Sequence, residues 1–418
     1  MVDKEKIKIN IEQICLEMKK QDKESTEDFT KPNKLFFNNK TLVKLEDTSL
    51  EAFYNILNEF MNDDFINKNF TISYIEKKIQ QLIVKILKRD EKERLNDLDA
   101  EISKFREIIK KDIKKWTFIV PIINLKIVKP LTIGEVTFVN FSEEHSSIKD
   151  HYFKILAKSK SPKKVIDEVK GHYANMFQFL NRFSCAKVSL EGESTKAIEL
   201  CFRLVERTLD VFRLYAPLDI YSSKAYIGIL GDLVTTKTTI LVYNDSNSSS
   251  HHEARGFLLP FEIDAKFIKV TEKNGLLKIS DILSRPRNDF ENSIITAIHW
   301  FGKAIKNVED KDRFIYFFIA LETLLIKDKN ESIINCLSER TAFLFEKERD
   351  RRIDISRLMK DLYETRSKIV HSGLDEVPPK DMKQMHLITQ QVLLTLINGE
   401  NYSHRSDFFK YLDELKYS

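Results

Sequence analysis

FIYFFIALETLLI, residues 314–326, is the longest apolar stretch of the chain, and its reading decides the fold. Phe314, Phe317, Phe318, Leu321, Leu324 and Leu325 recur at steps of three and four, the spacing that places side chains on one helical face. Most intervening positions are apolar too. Such a helix must be covered nearly all round, as the central helix of a bundle is. Glu322 breaks the stretch, and its 13 residues fall short of a membrane span, which needs about 20.

The helical pattern extends in both directions from this segment. It predicts helices over 290–306, 313–326, 331–346, 354–371 and 380–398, with a shorter one near 405–416. Pro286, within SDILSRPRNDFENS, marks the start of this all-α region, 286–418. Residues 1–115 also carry helical spacing, in Ile7, Ile11, Ile14 and Cys15, then Phe53, Ile56, Leu57 and Phe60, then Ile75, Ile79, Leu82, Ile83 and Ile86. The mixed-charge run from Lys88 to Lys115 reads as a long exposed helix with i,i+4 pairs.

Between these regions, 116–285 reads as α+β. WTFIVPIINLKIVKPLTIGEVTFVNF is rich in β-branched and aromatic residues and is punctuated by Pro121, Pro130 and Gly134. Helices are expected over 163–183 and 195–215. Strands are expected in KAYIGIL, TTILVYN and ARGFLLPFEI, with NDSNSSSHHE as a polar loop. The expected fold is therefore mainly α with an α+β middle region. No repeat of solenoid period is present.

Composition bounds the function. Hydrophobic residues make up 42% and charged residues 32% of 418, a globular balance. The net charge of +4 is the remainder of 68 basic and 64 acidic side chains, so any nucleic-acid contact must be local. Cys15, Cys185, Cys201 and Cys336 are widely spaced and form no CxxC, which points to a reducing compartment and to neither a disulfide framework nor a zinc knuckle. MVDKEKIKINIEQ has no signal-peptide apolar core, and a cytoplasmic location is expected.

DLYETRSKIVHSG, residues 361–373, holds Arg366 and His371 five positions apart. In a helix that spacing puts them about 140° and about 7.5 Å apart, so they do not stack. A slight unwinding near Gly373, placed to end the helix in a left-handed cap, would aim both into one cleft. An imidazole can shuttle a proton and a guanidinium can grip a phosphate with two prongs, a pair suited to phosphodiester cleavage. On RNA the ribose 2′-hydroxyl supplies the nucleophile, so the chemistry requires neither metal nor cofactor. GxxxxGK[ST], HExxH, GxSxG and EF-hand motifs are all missing from the chain. About one Arg-x4-6-His spacing is expected by chance in a chain of this length, and the bland alternative pairs Arg366 with Glu364 or Asp361 on the surface while His371 merely ends a helix.

Residues 290–373 resemble the Apea-like branch of the HEPN superfamily. FFIALETLL (317–325) matches a helix with an internal acid, SERTAFLF (338–345) carries Arg340 and Ala342, and LYETRSKIVHSG (362–373) is similar to the branch's Tyr-x-x-Arg-Ser-x-x-x-His signature. Ser372 departs from it, standing where related sequences often place glycine.

The resemblance implies a C-terminal HEPN helical bundle that forms a homodimer, bringing two Arg/His motifs to one cleft. It implies a metal-independent endoribonuclease acting in toxin or anti-phage defence. It assigns His371 as general acid/base, Arg366 as phosphate ligand and Ser367 as the polar residue after the arginine. Glu322 would orient Arg366, Arg340 or His371. Arg340 would bind substrate phosphate or pair with Glu322, and Tyr363 would pack the motif helix. The first two thirds would sense a phage-derived or nucleotide trigger. A non-catalytic HEPN module that binds nucleotide or RNA, or serves as a dimerising scaffold, is the alternative, and a purely structural helical protein is a further rival. His251 and His252 lack a third ligand nearby, His299 reads as a packed histidine, and Lys303, Lys306 and Lys368 as surface lysines.

Overall fold

The computed structural model describes residues 2–21, 33–38, 41–89, 98–216, 227–231, 237–243, 248–254, 261–307 and 309–417. Among these the protein is mostly helical, with 16 helices, small sheets in the middle and a helical C-terminal region. Two compact units result where the sequence predicts three regions. One is Met1–Thr117 with Ser189–Phe202, the other Phe118–Val188 with Arg203–Ser418.

The first unit contains α1 (Lys4–Gln21), a β1–β2 hairpin (Asn33–Asn38 and Thr41–Glu46), α2 (Asp47–Met61), α3 (Asp64–Asn69), α4 (Ile72–Leu87) and α5 (Leu98–Lys110). All the apolar positions read at helical spacing, from Ile7 to Ile86, lie in one buried cluster. The hairpin is a departure from the all-helical expectation. The charged run departs as well: Leu98, Ile102, Phe105 and Ile109 are buried, and Glu101 is held by Lys85 at 2.7 Å and Arg89 at 2.5 Å. One face of α5 is therefore core. Residues 90–97 of the run lie outside the described residues, and Lys114 and Lys115 already belong to a strand.

That strand is β3 (Lys114–Ile123). It is followed by β4 (Leu125–Ile127), β5 (Leu131–Ile133), β6 (Val136–Asn140), α6 (Phe141–Ala157), α7 (Lys163–Leu180), β7 (Ser184–Gly192) and α8 (Ser194–Leu214). Then come β8 (Gly228–Ile229), β9 (Lys237–Tyr243), β10 (Ser248–Ala254), β11 (Phe261–Ile263), α9 (Ala265–Lys273) and α10 (Leu276–Ser284). The main sheet runs β5-β6-β7-β3-β8. The expected polar loop is partly a strand: β10 pairs antiparallel with β9, placing His251 opposite Ile240 and His252 opposite Thr239. Backbone pairing there overrides the low strand propensity of serine.

The C-terminal helices are α11 (Asp289–Lys306), α12 (Asp310–Leu325), α13 (Ile333–Phe345), α14 (Arg349–Ser372), α15 (Pro379–Asn398) and α16 (Arg405–Tyr417). α11 starts on a capping box in which Asn288 Oδ1 accepts the Glu291 amide at 2.8 Å and the Glu291 carboxylate accepts the Asn288 amide at 3.0 Å. α12 is the central helix the sequence predicts, its six periodic apolar side chains at most 1% exposed. The mixed region touches these helices: Gln390 Nε2 donates to the Leu214 carbonyl at 2.7 Å, and His299 reaches Asp210 at 2.8 Å. No helix among the described residues is long and apolar enough to cross a membrane.

Candidate functional site

α14 buries only a narrow seam, Met359, Leu362 and Ile369, beneath a mostly charged surface. Arg366 falls four residues after Leu362 and three before Ile369, so it occupies the same inward seam. Its guanidinium lies over the Tyr363 ring, 5.5 Å from the centroid, and Tyr363 meets Phe318 of α12 edge-on at 5.7 Å. One turn beyond Phe318 on α12 stands Glu322. The structure thus brings Glu322, Arg366 and Tyr363 together on the α12–α14 seam.

Glu322 is half-buried, and Oε1 has no hydrogen-bond partner; Arg366 Nε is likewise buried without one. Burial pushes the Glu322 carboxyl above its usual range, and the nearby Arg366 charge pulls it partly back. A buried carboxylate oxygen and a buried guanidinium nitrogen, each without a hydrogen-bond partner, are uncommon inside a protein and call for an explanation.

A raised folded-state pKa has a defined sign. The folded state holds the proton more tightly, so the contribution of Glu322 to stability is present below its unfolded value and is lost as pH rises through the folded one. Glu322→Gln is therefore expected to resist denaturant at pH 7.5 as well as the parent or better, while the two proteins converge near pH 4. A variant that loses stability equally at both pH values would contradict this.

His371 sits five steps past Arg366, exposed in the last turn of α14. The helix stays regular through Ser372, and the unwinding the sequence suggested is not seen. Gly373 adopts the left-handed conformation (φ 65°, ψ 34°), and the Gly373 and Leu374 amides both donate to the Lys368 carbonyl. Within one chain, then, His371 and Arg366 face different surroundings. Ser367 is half-buried beside them. The surface pairing of Arg366 with Glu364 is not formed, since Glu364 binds Lys368 at 2.8 Å.

Arg340 stands apart from Glu322. Its two terminal nitrogens grip Glu331 at 2.8 and 2.6 Å, one of them also donates to the Leu325 carbonyl at 2.6 Å, and the guanidinium lies over Phe409, 4.9 Å from the centroid. It does not meet Glu322. Arg405 donates to the Thr323 and Ile326 carbonyls, so two guanidinium groups together satisfy the open C-terminal carbonyls of α12. The Arg340 bond holds the Glu331 carboxyl at about 2. Arg340 is a structural clamp between α12, the α12–α13 loop and α16.

Sequence reasoning missed a buried charge network on α8 and α11. Asp210, 1% exposed, accepts from Arg213 at 2.5 Å and from His299 Nδ1 at 2.8 Å, with Glu206 and Lys306 completing the set. Gly302 lies flat against it, because a Cβ there would collide with the Asp210 carboxyl. His299 is thus tethered, as a packed histidine with one partner. The i,i+3 spacing of Asp210 and Arg213 was the one signal in the sequence. Among the described residues, no three His, Cys, Asp or Glu side chains gather into a group fit to hold a metal ion. No protein-family model, curated protein or solved structure matches the chain.

Proposed function

We propose that the chain is a metal-independent endoribonuclease of the HEPN kind, its helical C-terminal region carrying the chemistry and the preceding residues governing it, with cytotoxic anti-phage defence as its use. One observation carries the reading: a single helix presents Arg366 beside an unpartnered Glu322 carboxyl and, at its glycine-capped end, an exposed imidazole. Because Arg366 and His371 diverge by about 140° on one α14, the cleft requires a second copy whose α14 end lies against the first. In such a homodimer one imidazole takes the 2′-hydroxyl proton as the P–O2′ bond forms. The other protonates the 5′ oxygen as P–O5′ breaks, leaving a 2′,3′-cyclic phosphate and a 5′-hydroxyl. Arg366, steered by Glu322, neutralises the charge on the phosphorane oxygens.

Labelled RNA incubated with purified protein in EDTA provides the test. Cleavage is expected, with a loss of about a hundredfold or more in His371→Ala and in Arg366→Ala. Cutting that disappears with EDTA, or that survives in His371→Ala, would remove this mechanism. Binding without any cutting would replace it with the non-catalytic reading, which the separation of Arg366 and His371 within one chain favours.

A further inference from the structure

A second feature of the same helix lies outside the predicted residues. A cavity of about 660 Å³ opens between α13, the N-terminal half of α14 and α16, and Arg349, Arg352, Arg357, Lys360 and Lys416 line it against a single carboxylate, Glu339. That gives one groove the same formal charge, +4, as the entire chain. None of Glu322, Arg340, Tyr363, Arg366, Ser367 or His371 contributes to it.

The cations are only lightly committed. Arg357 pairs with Asp354 at 3.3 Å and Lys416 with Glu339 at 3.5 Å, but these side chains are about half or more exposed, and such pairs hold little energy in water. Arg352 is fixed in place: Nε donates to the Glu346 carbonyl at 2.7 Å and the guanidinium stacks over Phe343 at 5.0 Å. Its other N–H groups have no partner among the described residues. Arg349 and Lys360 are exposed and have no ion pair among those residues.

Helix geometry ties this groove to His371. From Lys360 to His371 is eleven residues, which returns the side chain to within about 20° of the same face, about 16 Å further along the axis. Arg357, Lys360, Glu364 and His371 therefore share one stripe, and the only acid in that set, Glu364, lies 2.8 Å from Lys368. From Arg349 to His371 the stripe runs about 33 Å, far longer than one phosphate or one nucleotide. A polyanion fits that length. Arg366, on the opposite side of α14, is not on it.

We infer that the α13–α14–α16 groove is a backbone-binding track for single-stranded RNA, which seats several phosphates on Arg349, Arg352, Arg357 and Lys360 and leads the strand along α14 toward His371. The choice of RNA among polyanions rests on the ribonuclease reading; the track itself rests on the cavity and its charge.

The test uses full-length protein carrying His371→Ala, in EDTA, with a fluorescent single-stranded RNA of about 20 nucleotides and anisotropy as readout. Arg349→Glu combined with Lys360→Glu is expected to weaken binding at least tenfold. It should also reduce the slope of log affinity against log salt by about 1.4, the loss of two single-strand phosphate contacts. Lys269→Glu with Lys273→Glu, an equal charge change on exposed residues of α9, is expected to have less than a threefold effect. Equal weakening by both pairs would overturn the track, as would no weakening by the first pair. Full displacement of the RNA by inorganic phosphate at matched phosphate concentration would overturn it in favour of a small-anion site. The two readings separate cleanly: groove-dependent binding by a protein that never cuts RNA upholds the track and removes the nuclease, whereas cutting that ignores Arg349 and Lys360 does the reverse.

Discussion

Arg213→Met is expected to cost the unit built from Phe118–Val188 and Arg203–Ser418 about 3–5 kcal/mol, the usual penalty for removing one partner of a buried ion pair. Arg213 is 1% exposed and donates four hydrogen bonds: Nε and Nη2 to the Ile227 carbonyl at 3.2 and 2.6 Å, Nη1 to Asp210 at 2.5 Å and to Glu206 at 2.8 Å. Burial alone would push Arg213 down, and the Asp210 and Glu206 carboxylates more than reverse this. Asp210 feels the opposite pull, raised by burial and restrained by Arg213 and His299. Methionine approximates the aliphatic stem but strands the Asp210 carboxyl, which must then take up a proton or remain charged without its guanidinium. Adding Asp210→Asn should therefore recover more than half of the loss, because no charge is then left unpaired and the shape against Gly302 is kept. Denaturant unfolding of the two variants decides it. A single variant as stable as the parent, or a double variant no better than the single, would show that the buried Asp210–Arg213 pair does not stabilise this unit.

The contrast between that network and the C-terminal helices shows what a sequence discloses. Helices expected over 290–306, 380–398 and near 405–416 appear as Asp289–Lys306, Pro379–Asn398 and Arg405–Tyr417, since their apolar period and local caps, such as Asn288 with Glu291, are written within a few residues. Gly373 was legible as a cap for the same reason. The β1–β2 hairpin, α6, and the serine- and histidine-rich strand β10 were not. Their conformations are set by partners elsewhere: β10 has little strand propensity and exists because β9 pairs with it. The candidate site divides along the same line. The inward position of Arg366 follows from its seat between Leu362 and Ile369, whereas the Arg340 clamp on Glu331, the Leu325 carbonyl and Phe409 draws on a loop and two further helices. His299 and Asp210 lie 89 residues apart, and no local pattern links them.

Between pH 7 and pH 5 the protein is expected to lose about 2 kcal/mol of stability through one side chain, His386. It is 7% exposed on α15, its ring 5.3 Å from Phe301 and 5.2 Å from Phe317, and Nε2 is buried without a hydrogen-bond partner. Burial pushes the imidazole down to about 3, and the Arg313 charge adds to the shift. The folded state therefore refuses a proton that the unfolded chain accepts below its ordinary value of 6.5. Stability from this group is complete above 6.5 and falls by about 1.4 kcal/mol for each pH unit below it, until the folded imidazole itself titrates near 3. Glu322 contributes with the opposite sign, so the acid limb isolates His386 only by comparison with a variant. His386→Leu keeps an apolar side chain between the two phenylalanine rings and abolishes the titration. Its denaturant midpoint should change less between pH 7 and pH 5 than the parent's, by an amount worth about 2 kcal/mol. Parallel pH profiles would mean that water or motion reaches the ring, and that the packing of α11, α12 and α15 around it is looser than the geometry describes.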